Sequence, residues 1–228
     1  MGPVTHDVLD VSTQRLVRTI DSLPDDAYPA PSLLPGWTRG HVVAHLALNA
    51  EALAGALRGV VEGRPVPMYG SPEGRDADIE SLAATSPSAL RDRLLASTTV
   101  LGEALRHLPA DSLDTEIERT PHGPGFAAGD VMAMRWREVE IHHVDLDAGY
   151  TRADWPATFA EVLVSQLAQR AGATLVATDL DQTWQAGGDD DATPRVSGTA
   201  ADLGWWLTGR GDGDGLTTDG ELPRIGAW

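Results

Sequence analysis

The 228-residue chain contains no cysteine and no lysine. Without cysteine it can form no disulfide, build no thiolate metal site and offer no thiol nucleophile of its own. Without lysine, Schiff-base chemistry and the lysine of a phosphate-binding P-loop are excluded. Any thiol chemistry must borrow its thiol. Positive charge is also short: 17 arginines face 34 carboxylates, for a net charge of −17. No basic stripe survives that could hold a phosphate backbone, so nucleic acid is not an expected partner. No apolar run approaches the roughly 18 residues of a membrane span. The opening "MGPVTHDVLDVSTQRL" has neither the basic start nor the apolar centre of a secretory signal. His6 stands where a myristoylation motif needs Ser or Thr. The expectation is a cytoplasmic protein with no membrane partner.

What the sequence does have is helical periodicity. Val8, Leu9, Val11, Leu16, Val17 and Ile20 mark an amphipathic helix from Thr5 to about Ile20. A second helix is predicted with Thr38 as N-cap, running through "HVVAHLALNAEALAGALRGVVEG". "GRPVPMYGSPEG" reads as a loop. A third helix opens with Ser86 as N-cap and Pro87 at its first position. After the loop "TPHGPGFAAGD", a fourth spans about Ala127 to Ala148. Beyond Gly149 a fifth helix is expected over "WPATFAEVLVSQLAQRAGATLVA". Short strands follow at "QTWQAG" and "PRVSG", then a short helix at "TAADLGWWLTGR", with the acidic "GGDDDATP" as a solvated loop. The fold class expected is α+β: a four-helix bundle over 1–150 and a small α+β domain over 151–228.

The fourth helix carries an unusual stripe. In "MRWREVEIHHVDLDAG", Arg135, Glu138, His142 and Asp145 recur at helical spacing and share one face. On the second helix, His41 and His45 stand four residues apart among apolar neighbours, with Asn49 one turn further on. Bundle interiors build metal sites in this way. Spacing alone equally allows hydrogen-bonded core histidines, or a surface Glu–His pair of ~0.2–0.5 kcal/mol. Glu140, His143, Arg137 and Asp147 are expected to face water, and His6, His107 and His122 to be incidental.

Four blocks, "LLPGWTRGHVVAHLALNAEAL", "PMYGSPEGRDADI", "MRWREVEIHHVDLDAG" and "LTGRGDGDGLTTDGELP", resemble the mycothiol-dependent maleylpyruvate isomerases of actinobacteria. They run in family order almost end to end. The resemblance implies a DinB-like metal-binding bundle and a C-terminal unit similar to sterol-carrier-protein domains. It implies His45, Glu138 and His142 as ligands of Zn2+. It implies Arg75 and Arg210 in recognition of substrate or of the thiol co-substrate mycothiol, with Arg210 facing a cleft between the two domains. Glu140 and His143 depart from the family pattern beside the ligands and leave the ligands in place.

The chemistry so implied is reversible addition of a thiolate to maleylpyruvate. The double bond becomes single, rotates, and is restored as fumarylpyruvate when the thiol leaves. Asp145 would orient His142 or be an ordinary helix-surface aspartate. His41 would shuttle protons or be a core histidine satisfied by a neighbour. The partners implied are a small-molecule electrophile and a low-molecular-weight thiol, in a monomer or homodimer. A mycothiol S-transferase uses the same ligands but releases the adduct. A non-catalytic zinc sensor or carrier would close the metal with a fourth protein ligand, for which His41 is the nearest candidate. A bundle without metal is the remaining alternative.

Overall fold

The structure, a computed structural model, describes residues 4–185 and 193–226. The chain divides into two compact units, Gly2–Gly149 and Tyr150–Trp228. Residues 187–192 of the acidic "GGDDDATP" lie outside the described residues.

The N-terminal unit contains α1 (His6–Ser22), α2 (Arg39–Val61), α3 (Pro72–Ala83), α4 (Pro87–Arg106) and α5 (Val131–Asp145). The first four of these helices each begin on a hydroxyl cap. Thr5, Thr38, Ser71 and Ser86 accept from a backbone N–H of the first turn, and Pro72 and Pro87 occupy positions where a missing N–H costs nothing. α2 is the central helix and packs against α3, α4 and α5. Val42, Val43, Leu46, Ala47, Ala50, Leu53 and Leu57 are all buried, so it is apolar nearly all round rather than striped. It ends where Gly63, at φ +68°, turns its N–H back to the Val60 carbonyl.

Two features were not predicted. α3 overlaps the expected loop only through Gly74, and no element is expected over its remainder; its sequence is polar and buries only Ile79, so periodicity carries no signal there. Between α4 and α5, β1 (Glu116–Glu118) and β2 (Gly125–Ala127) form an antiparallel hairpin, and β2 falls in the stretch expected to be a loop. Three-residue strands are too short to alternate legibly.

The C-terminal unit has α6 (Ala157–Leu167), β3 (Thr174–Ala177), β4 (Gln182–Gln185), β5 (Arg195–Gly198), α7 (Ala200–Leu207) and β6 (Thr217–Thr218). The sheet order is β4-β3-β5-β6, with β3 and β5 parallel and the outer pairs antiparallel. Leu175, Ala177 and Val196 point inward, and α7 packs on α6 and on this sheet. The expected fifth helix is shorter than its apolar run. Gly172 at φ +56° ends the helical path, and "TLVA" continues as β3. The mixed α+β class stands.

Candidate metal centre

α2 and α5 face one another, and their polar side chains meet there. The Nε2 of His45 lies 2.9 Å from the Glu138 Oε2, and the Nε2 of His142 lies 3.2 Å from the same oxygen. The two imidazole rings stand edge to face with centroids 4.6 Å apart. One donor atom from each of the three residues lies within 4.8 Å of the other two. The group is a candidate metal site made of two imidazoles and one carboxylate.

The neighbours hold each ligand from behind. His142 turns its Nδ1 to the Asp145 carboxylate at 2.8 Å, which leaves Nε2 for the site. The Nδ1 of His45 faces the Arg75 guanidinium at 3.2 Å, and Trp37 packs on the same ring. α5 is itself docked at its end: the Leu33 N–H donates to the Asp145 carbonyl, and Arg39 donates to the carbonyls of Leu146 and Asp147. These contacts satisfy carbonyls that a helix end leaves over, and they tie the two ligand helices together.

Electrostatics agree with the geometry. Burial pushes the Glu138 carboxyl up, but hydrogen bonds from His142 and His45 outweigh it and hold the group well below the usual carboxylate range. Burial drives His45 down to about 4, against the pull of Glu138. His142 is also pushed down by burial, yet Asp145 and Glu138 raise it overall. Glu138 is thus held ionised and His45 neutral, as a divalent metal requires, while His142 would have to release a proton that Asp145 and Glu138 favour. Imidazole and carboxylate donors on rigid helices fit zinc and other first-row divalent ions.

Arg135, on the same face as Glu138, is fully buried. Its Nη1 donates to the Leu46 carbonyl at 2.9 Å and to the Asn49 Oδ1 at 2.8 Å. Burial lowers its pKa to about 10, so it stays charged at neutral pH. Its buried Nη2 has no hydrogen-bond partner among the described residues.

Arg75 reaches His45 from α3, pairs with Asp76 at 2.7 Å and stacks over Tyr69. Arg210 belongs to the C-terminal unit, where its guanidinium lies over the Trp205 ring. His41 is not among the clustered donors. Its Nδ1 accepts from the Thr38 N–H in a capping box, and its Nε2 meets Glu80 at 3.2 Å. It is a helix-start residue satisfied by its neighbours.

Two expectations are corrected. Glu140 and His143 do not face water; each is 1% exposed. They lie on the back of α5 against α1, where Ser12 donates to Glu140 and His143 pairs with Thr19 at 2.8 Å. Arg137 is half-buried, whereas Asp147 is exposed as expected. Sequence reasoning missed Tyr69 and Trp37 at the site, because both sit in connections without periodicity.

Comparison with known proteins gives the following. Residues 9–147 match the family model described as "Mycothiol maleylpyruvate isomerase N-terminal domain", and residues 151–227 match "MDMPI C-terminal domain". Two crystal structures share the fold over 100% of both chains, each at 30% identity and a TM-score of 0.88. One is described as the mycothiol-dependent maleylpyruvate isomerase and the other as a histidine-to-alanine variant of it. Among curated proteins, none matches in sequence.

Proposed function

The chain belongs to the mycothiol maleylpyruvate isomerase family, and on that premise we propose that it is a zinc- and mycothiol-dependent isomerase converting maleylpyruvate to fumarylpyruvate. The observation that carries this reading is the convergence of His45, Glu138 and His142 on one point. Those three residues would hold the zinc, and the ion would acidify a thiol entering its open position, supplying the nucleophile the cysteine-free chain lacks.

The protein's own residues do the rest. Asp145 keeps His142 in one tautomer and orientation, and Arg75 bears on the His45 ring. Arginine is always charged and binds carboxylates through paired N–H groups, which suits Arg75 and Arg210 to the carboxylates of the substrate. Zinc and the role of Arg210 rest on donor chemistry and on family membership.

The test is metal content by mass spectrometry on wild type and Glu138→Ala, followed by product analysis with mycothiol and maleylpyruvate. We expect one zinc per wild-type chain, its loss in the variant, and fumarylpyruvate formed without net thiol consumption. Thiol consumed in step with product would replace isomerase by S-transferase. A wild type free of metal would overturn the centre itself.

A further inference from the structure

Arg135 is buried at the metal centre, and the chemistry proposed above gives it no part. It stands one turn before Glu138 on α5, and its Nη1 donates to the Leu46 carbonyl at 2.9 Å and to the Asn49 Oδ1 at 2.8 Å. Leu46 follows His45 on α2, and Asn49 lies one turn beyond it. The guanidinium is therefore held between the two helices that carry the ligands.

Bracing those helices does not account for a full charge. One nitrogen makes both bonds across to α2, and a neutral amide has the donors for that. The second nitrogen, Nη2, is buried and has no hydrogen-bond partner among the described residues. No carboxylate of the described residues comes within 4.0 Å of the guanidinium. A buried cation without an ion-pair partner is costly. This one also stands beside a site for a divalent cation, which it repels.

A charge that is costly to bury and unfavourable to the metal is explained by an anion that arrives later. With a divalent ion bound, the Glu138 and Asp145 carboxylates balance its charge, and Arg75 is paired with Asp76. Tyr69, whose phenol is pushed up by burial, adds no negative charge at neutral pH. A thiolate added to that set is matched by Arg135.

We propose that Arg135 is a positioning residue for the thiol co-substrate: its buried charge offsets that of the thiolate at the open metal position and favours it there over a neutral ligand. This rests on the metal-and-thiol part of the reading above and holds for isomerase and S-transferase alike.

The test is ligand binding to the cobalt-substituted protein, whose visible spectrum reports what enters the open position. Mycothiol supplies the anion, and imidazole is the neutral control. Arg135→Gln removes the charge and keeps an amide donor, whereas Arg135→Lys keeps the charge and loses the fork. We expect Arg135→Gln to bind mycothiol ~10-fold more weakly, the effect of one charge at short range in a protein interior. It should bind imidazole as wild type does and hold cobalt no less tightly in competition with a chelator. Arg135→Lys should return mycothiol binding to near wild type. Unchanged mycothiol affinity in Arg135→Gln overturns the proposal. So does an equal loss of mycothiol and imidazole, or weaker cobalt binding, either of which identifies a brace. Should Arg135→Gln not fold, Arg135→Met replaces it under the same criteria. If neither folds, Arg135→Lys decides alone: near-wild-type mycothiol affinity supports the charge, and a loss as large as that expected for Arg135→Gln overturns it. These outcomes leave the metal-and-thiol reading standing. A wild type that takes up no cobalt, or whose spectrum ignores mycothiol, overturns that reading and this proposal with it.

Discussion

Both faces of α5 hold polar side chains largely out of water, yet they are built for different ends. On the back, Glu140 accepts from Ser12, Ser12 accepts from the Trp136 indole at 2.9 Å, and His143 pairs with Thr19. Each donor there meets a protein acceptor, and the network joins α5 to α1. On the front, two imidazole nitrogens crowd a single carboxylate oxygen, and the groups behind them hold that arrangement in place. Burial of polar groups does not separate a structural network from a site. Convergence of lone pairs on one shared point does.

The contrast breaks most severely under paired substitution. His45→Ala should abolish metal binding with little change in fold, because the site is assembled from two helices and needs both. Glu140→Ala should keep full metal content and lose stability instead, by ~1–3 kcal/mol, since Ser12 is left buried without its acceptor. Metal analysis and chemical denaturation of the two variants give both halves of the comparison. Loss of metal in Glu140→Ala would erase the distinction between the faces. A smaller effect is expected at Asp145→Asn, which keeps the shape but weakens the hold on His142: metal affinity should fall ~10–100-fold in a competition titration with a chelator. Unchanged affinity would reduce Asp145 to a helix-end residue.

The smallest effect is on the metal-free protein's response to pH. His45 is depressed to about 4 from an ordinary 6.5, so between these values the unfolded chain binds more protons than the folded one. Stability from this histidine is present above about 6.5 and is lost as pH falls towards 4. Glu138, also depressed, acts in the same direction at lower pH. His142, raised, acts oppositely: its contribution is full below 6.5 and fades as pH rises through its folded value. Denaturation of metal-free protein at pH 7 and pH 5 should show a loss on acidification that shrinks in His45→Gln. An equal loss in that variant would remove His45 as its source.

How much of this was legible depends on the element. α2 announced itself by its Thr38 cap and α5 by its helical spacing, and the 3.6-residue period put Glu138 and His142 on one face. Arg75 and Arg210 had no such signal; only the motif blocks singled them out. α3 stayed hidden because a polar helix with one buried residue has no stripe to read. β3 was absorbed into the helix before it, although Gly172 marked the stop. Glu140 and His143 were misplaced for a different reason: nothing in α5's own sequence says that α1 will cover its second face.

Composition, caps and period thus determined the fold class, the ligand types and the need for an outside thiol, because these follow from residue chemistry and local geometry alone. Tertiary structure decided which charges are buried, that His41 caps a helix rather than closing a metal site, and that Trp37 from an irregular connection packs on the His45 ring. Those outcomes depend on the partner a side chain meets across helices and loops distant in sequence, and a local pattern carries no record of that partner.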